Sequence, residues 1–87
     1  NIDSFEDCLA NAYLKLQYYD EAIAEYQRIL QLNPKYTLAQ FHLASAYQAK
    51  GLKSEAKNAY QKFIETWNEA DHDLKELSTA QKFLLQN

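Results

Sequence analysis

One glycine, one proline, one cysteine and no methionine occur in 87 residues. Average usage, roughly 7% glycine and 5% proline, would place about six and about four of them in a chain this long. Sandwiches, barrels and hairpin-rich domains use those residues at their turns, so an all-β fold is disfavoured. A glycine-lined phosphate loop cannot be built from a single glycine. The lone Cys8 cannot close an internal disulfide, which removes a secreted disulfide framework and leans toward a cytoplasmic setting. Long apolar runs are missing too: none approaches the ~20 residues that span a bilayer, and no signal-peptide pattern opens the chain. Without an opening methionine, the chain is expected to be an excised piece of a longer protein.

What is present reads as a small globular domain. The composition is 47% hydrophobic and 24% charged, which is ordinary for a folded chain rather than a disordered one. Net charge is −3 and the lysines are scattered, so a partner held by its phosphate backbone is not expected.

A search for self-similarity is more informative. At an offset of 34 residues, Leu9, Ala10, Ala12, Tyr13, Glu21, Ala22, Tyr26 and Gln27 fall on Leu43, Ala44, Ala46, Tyr47, Glu55, Ala56, Tyr60 and Gln61. Leu77 and Ala80 continue the series from Leu43 and Ala46 at the same offset. Apolar spacing of three and four residues predicts helices near 3–16, 20–32, 37–50, 53–67 and 74–85. The first takes Phe5, Leu9, Ala12, Tyr13 and Leu16 as its apolar stripe. Asn33-Pro34 ends the second helix, because proline lacks an amide proton and restrains the residue before it. Gly51 suits a left-handed cap after the third, and Ser54 is a candidate cap for the fourth. Asp73 with Glu76 has the spacing of an acidic capping box. Gln81 stands in the third copy where Tyr13 and Tyr47 stand in the others, as suits a terminal helix whose outer side meets water.

These residues resemble the tetratricopeptide repeat, a helix–turn–helix unit of pattern W-x2-L-G-x2-Y…A-x3-F…P. Leu9, Ala10, Tyr13, Ala22, Tyr26 and Pro34 follow the pattern in the first copy, and Leu43, Ala44, Tyr47, Ala56 and Tyr60 in the second. Tyr18-Tyr19-Asp20-Glu21-Ala22-Ile23 is similar to the commonest turn into the second helix. Glu6 and Gln40 occupy the tryptophan slot, and Asn68 replaces the second copy's proline, so the 53–67 helix is expected to run on for a few residues. The stretch from Ala59 to Asp71 is similar to the closing segment of some bacterial multidomain proteins, where such repeats follow a kinase, sensor or DNA-binding region. The resemblance implies an all-α fold, a right-handed superhelical stack of antiparallel helix pairs (an α-solenoid). A single domain over 1–87 then divides into repeats at 3–36 and 37–70 and a capping helix at 71–87.

In such a stack the first helices line a concave groove that takes a peptide or a partner helix. Carried onto this chain, the groove slots are Asp7, Asn11 and Leu14, then Leu38, Phe41, Ser45 and Gln48, then Lys75, Thr79 and Lys82. Leu38 and Phe41 admit two readings: an apolar edge packed on neighbouring helices, or an exposed floor for a ligand. Family members that clamp a chaperone's C-terminal carboxylate use lysine, asparagine and arginine on successive first helices. Asn11 fits one asparagine slot, but Asp7 and His42 stand at two others, and His72 and Glu76 replace the last pair. An acid in a partly desolvated groove repels a carboxylate, so chaperone tails are not expected as ligands.

No enzyme emerges from the remaining residues. Cys8 and His42 stand at equivalent places on neighbouring first helices, roughly 8–10 Å apart at packed axes, whereas a thiol and its base need about 3 Å. A buried or half-buried thiol and a groove-lining or surface histidine are the expectation. Asp71-His72-Asp73 does not make a metal site, because adjacent helical residues point in different directions. Asp20-Glu21 reads as helix N-terminal charge. Tyr13, Tyr26, Tyr47 and Tyr60 occupy packing slots, while Tyr18, Tyr19 and Tyr36 flank turns. No cofactor, nucleic acid or membrane is expected. The leading function is a protein-binding module. The alternatives are a regulatory tail of a larger protein, or a self-assembly element forming a homo-oligomer through an N-terminal helix that no earlier repeat covers, with Ile2 and Phe5 on it.

Overall fold

A computed structural model describes the backbone of residues 4–67 and 74–86, with side chains for 8–67 and 75–86. The described residues form five helices and no strand: α1 Ser4–Lys15, α2 Tyr19–Leu32, α3 Thr37–Lys50, α4 Lys53–Thr66 and α5 Leu74–Gln86. Each packs chiefly on its neighbours in sequence, as a stack of repeats does. The shortest extent, 19 Å, is close to two helix diameters of about 10 Å each, so the helices lie in two layers.

The turns repeat as faithfully as the helices. Gly51 ends α3 in the left-handed conformation at φ 85°, its amide and that of Leu52 donating to the carbonyls of Gln48 (3.0 Å) and Tyr47 (2.9 Å). The first copy has the same pair of bonds: Gln17 and Tyr18 donate to Leu14 (3.1 Å) and Tyr13 (2.9 Å), with Gln17 at φ 66°. The 34-residue offset therefore carries Gly51 onto Gln17, and this motif satisfies carbonyls that would otherwise be orphaned at both helix ends. Asn33 closes α2 ahead of Pro34, and Asp20 and Glu21 lie in its first turn, where their charge favours the helix dipole.

Two expectations are corrected. Ser54 does not cap α4: the capping position is Leu52, with no side-chain cap, and Ser54 lies inside the helix. Nor does α4 run on past 67. It stops at Thr66, with Trp67 extended at ψ 138°. The Thr66 hydroxyl lies within reach of the Lys62 (2.9 Å) and Phe63 (3.3 Å) carbonyls in the last turn. Asn68 and the Asp71–Asp73 stretch, including the first residue of the expected capping box, lie outside the described residues.

Two buried clusters make the core. Ala10, Ala22, Tyr26, Ile29, Ala39 and Leu43 join α1, α2 and α3. Ala44, Ala56, Ala59, Tyr60, Phe63, Ala80 and Phe83 join α3, α4 and α5. Tyr47 packs against both and links them. The expected stripe of α1 is divided by this arrangement. Ala10 is buried and Tyr13 and Leu14 are half-buried against α2 and α3, whereas Leu9, Ala12 and Leu16 are exposed.

Phe63 is fully buried and Leu32 is 66% exposed. Phe63→Ala should lower unfolding free energy by about 3–5 kcal/mol in urea titrations, with Leu32→Ala near neutral. Gln17→Gly should stabilise by about 0.5–1 kcal/mol by relieving the left-handed strain. Gly51→Ala should destabilise by about 1 kcal/mol. An added Cβ there meets nothing within 4 Å, so backbone strain alone sets that effect.

Candidate functional site

Three of the expected groove residues are oriented by buried tyrosines. Tyr26, fully buried on α2, donates its phenol proton to Asn11 Oδ1 on α1. Its counterpart Tyr60 on α4 donates to Gln48 Oε1 at 2.7 Å and lies 3.4 Å from Ser45 Oγ on α3. Asn11 and Ser45 occupy the same repeat slot. In both copies, then, a phenol from the second helix crosses the layer boundary and engages a polar group on the first. A buried hydroxyl requires such a partner, because leaving it unpaired costs about 1–3 kcal/mol.

The other expected residues fall into different settings. Leu14 is half-buried on the first cluster, and Leu38 is half-buried without belonging to either cluster. Phe41 packs on the second cluster, its ring centroid 5.3 Å from that of Phe63 and 5.9 Å from that of Tyr60. Phe41 therefore forms part of the packed edge while keeping some surface in solvent. Lys75, Thr79 and Lys82 are exposed on α5, and the Thr79 hydroxyl donates to the Lys75 carbonyl of its own helix at 3.0 Å. Asp7 belongs to α1, with its side chain outside the described residues.

His42 is taken up in an aromatic row, stacked on Tyr26 at 5.7 Å and edge-on to Phe41 at 5.6 Å. Cys8, at the equivalent slot of α1, is exposed rather than buried or half-buried as expected. The difference lies in the neighbour: α2 covers that side of α3, whereas among the described residues no helix covers that side of α1. No group of three or more metal-ligating side chains occurs among the described residues, and none of their helices is long and apolar enough to cross a membrane.

A cleft of about 460 Å³ opens elsewhere, between α2 and α4 across α3, floored by Leu43, Tyr47 and Ala59. Gln27, Gln31, Glu55, Asn58 and Lys62 are among its polar lining. Gln27 Nε2 donates to the Tyr47 hydroxyl at 2.9 Å, and Gln40 Nε2 donates to the Ala59 carbonyl at 3.3 Å. None of the expected groove residues lines it. Apolar periodicity passes over it, because its polar lining lies between the packing slots of two second helices.

Burial pushes the Tyr60 phenol above its ordinary 10.0, and the Ser45 contact draws it partly back. Neutral tyrosine is therefore favoured in the folded state. Above pH 10 the unfolded chain ionises first, so this stabilisation is present below that pH and is lost as pH rises through the folded value. Tyr60→Phe should destabilise by about 1 kcal/mol at neutral pH and flatten the alkaline loss in unfolding curves. An unchanged alkaline profile would show that Tyr60 is not its source.

Similarity to known proteins accords with this geometry. A family profile described as TPR repeat matches residues 10–51, and one described as Tetratricopeptide repeat matches residues 38–67. Among curated proteins no sequence matches. The chain is similar to a tetratricopeptide repeat domain protein from Salinibacter ruber solved by crystallography. The identity is 26%, over 97% of this chain and 94% of that one, with a TM-score of 0.78. A solution NMR structure of a tetratricopeptide repeat domain protein from the same organism gives 26% identity over 98% and 86%, with a TM-score of 0.77.

Proposed function

The chain belongs to the tetratricopeptide repeat family, and on that premise we propose that it is a non-catalytic module holding a peptide or partner helix along α1, α3 and α5. Repeats of this family generally mediate protein–protein interaction. On this reading, residues 3–36 and 37–70 form the two repeats and 71–87 the cap. The observation that carries it is the pair of buried phenols, Tyr26 and Tyr60, which hold Asn11, Ser45 and Gln48 in fixed orientations on the first helices. A polar row held by the core has lost its rotamer freedom before a ligand arrives, which lowers the entropic cost of binding. Phe41 and Leu38 supply partly exposed apolar surface beside it, and Lys75 and Lys82 supply positive charge at the far end.

Peptides selected by display on the folded chain test this reading. Asn11→Ala and Gln48→Ala should each weaken binding of a selected peptide about tenfold, with helicity unchanged by circular dichroism. Peptides bound equally well by both variants would place the interaction elsewhere. Acidic C-terminal chaperone tails should show no binding by calorimetry, and micromolar affinity for them would overturn that part.

A further inference from the structure

The cleft between α2 and α4 combines two kinds of surface. Its floor, Leu43, Tyr47 and Ala59, is apolar and buried or half-buried, and four primary amides line it: Gln27, Gln31, Gln40 and Asn58. Two of these amides are tied to the fold. Gln27 Nε2 donates to the Tyr47 hydroxyl and Gln40 Nε2 to the Ala59 carbonyl, so each keeps its carbonyl oxygen as an acceptor. Gln31 and Asn58 make no side-chain hydrogen bond among the described residues. A primary amide has the same donor and acceptor as a peptide unit, so this set matches a backbone whose own polar groups are unpaired. Glu55 and Lys62, both on α4, add opposite charges about 10 Å apart along its axis. Neither is in an ion pair among the described residues.

We propose that this cleft binds an extended segment of a protein partner in the polyproline II conformation. The segment carries a basic residue facing Glu55 and, three positions away, an acidic residue facing Lys62. The charge spacing selects the conformation. Polyproline II returns to the same side every three residues, about 9 Å on. A β-strand returns every two, at about 7 Å and about 13 Å, and matches the separation less well. A helix has its backbone groups already paired, so it offers the amides no backbone partner. The rim selects a chain over a small molecule. Gln27, Gln31, Glu55, Asn58 and Lys62 are all exposed, so the cleft does not enclose its occupant as a small-molecule site does. The segment belongs to a partner because α1 to α4 are joined only by short turns. None of the groove residues lines this cleft, so this proposal and the groove reading fail independently.

The probe is the capped peptide Pro-Lys-Pro-Pro-Glu-Pro, titrated into the nitrogen-labelled chain while side-chain amide resonances are followed by NMR. It should shift the Gln31 and Asn58 amides saturably, with a Kd at or below about 1 mM. Asn58→Ala, at an exposed position, should weaken binding about fivefold with helicity unchanged. Lys62→Glu should weaken this peptide about fivefold and bind Pro-Lys-Pro-Pro-Lys-Pro more tightly than the unaltered chain does. No saturable shift at about 10 mM peptide overturns the proposal. Shifts confined to Asn11 and Gln48 place the peptide in the groove and overturn it as well. Equal affinity of the unaltered chain for the mixed and the doubly basic peptide overturns the roles of Glu55 and Lys62. A helix-forming peptide with lysine and glutamate two turns apart that binds more tightly overturns the extended conformation. Shifts that grow with concentration of the chain alone identify a second copy as the occupant and overturn the proposal too.

Discussion

Close approach of α3 to both α2 and α4 is the constraint on which the rest of the structure depends. A helix with neighbours on two sides has little room for large side chains at its contacts. Ala39, Ala44 and Ala46 are fully buried and keep the backbones near enough for the surrounding rings and branched chains to interlock. Large residues then occupy the neighbours: Tyr26 and Ile29 on α2, Tyr60 and Phe63 on α4. Tyr47 bridges the two clusters from α3 itself, so they form a continuous core rather than two separate ones.

The polar features follow from that packing. A tyrosine buried to its hydroxyl needs a partner at the layer boundary, and the first helices provide it with Asn11, Ser45 and Gln48. The same groups are candidates for ligand contact. Their orientation is therefore a consequence of core satisfaction. The cleft between α2 and α4 has the same origin. Second helices spaced by an intervening first helix leave a trough, which side chains such as Gln27 and Asn58 line without filling.

α1 and α5 differ in the residues they carry at shared repeat slots. At α5 the slot held by Tyr13 and Tyr47 in the other copies is Gln81, which is exposed and polar. At α1 the slot of buried Leu43 is still leucine, and it is 38% exposed. α5 thus exposes Gln81 and Lys82 together with Leu85 at 87%, whereas α1 keeps the leucine of an internal helix.

Much of the fold was legible because the determinants of a helix lie within its own residues. Three-and-four spacing, Asn33-Pro34 and Gly51 located α2 and α3 closely, and the 34-residue identities paired each helix with its counterpart. The end of α4 was misjudged because a missing proline was read as a missing stop, while the extended backbone at Trp67 ends the helix without one. The exposure of Leu9 and Cys8 was legible only in part: the repeat count left the first helix without an earlier repeat over it, but apolar spacing put Leu9 in the packing stripe. Equivalent repeat slots have similar residues, but burial belongs to the helix lying opposite, and the sequence of α1 does not contain it. By itself the sequence determined the helices, their period and the family, all local or repeated properties. Tertiary structure alone decided which of those slots are covered, which hydroxyls find partners and where surface remains open, because each depends on the distance between separate helices.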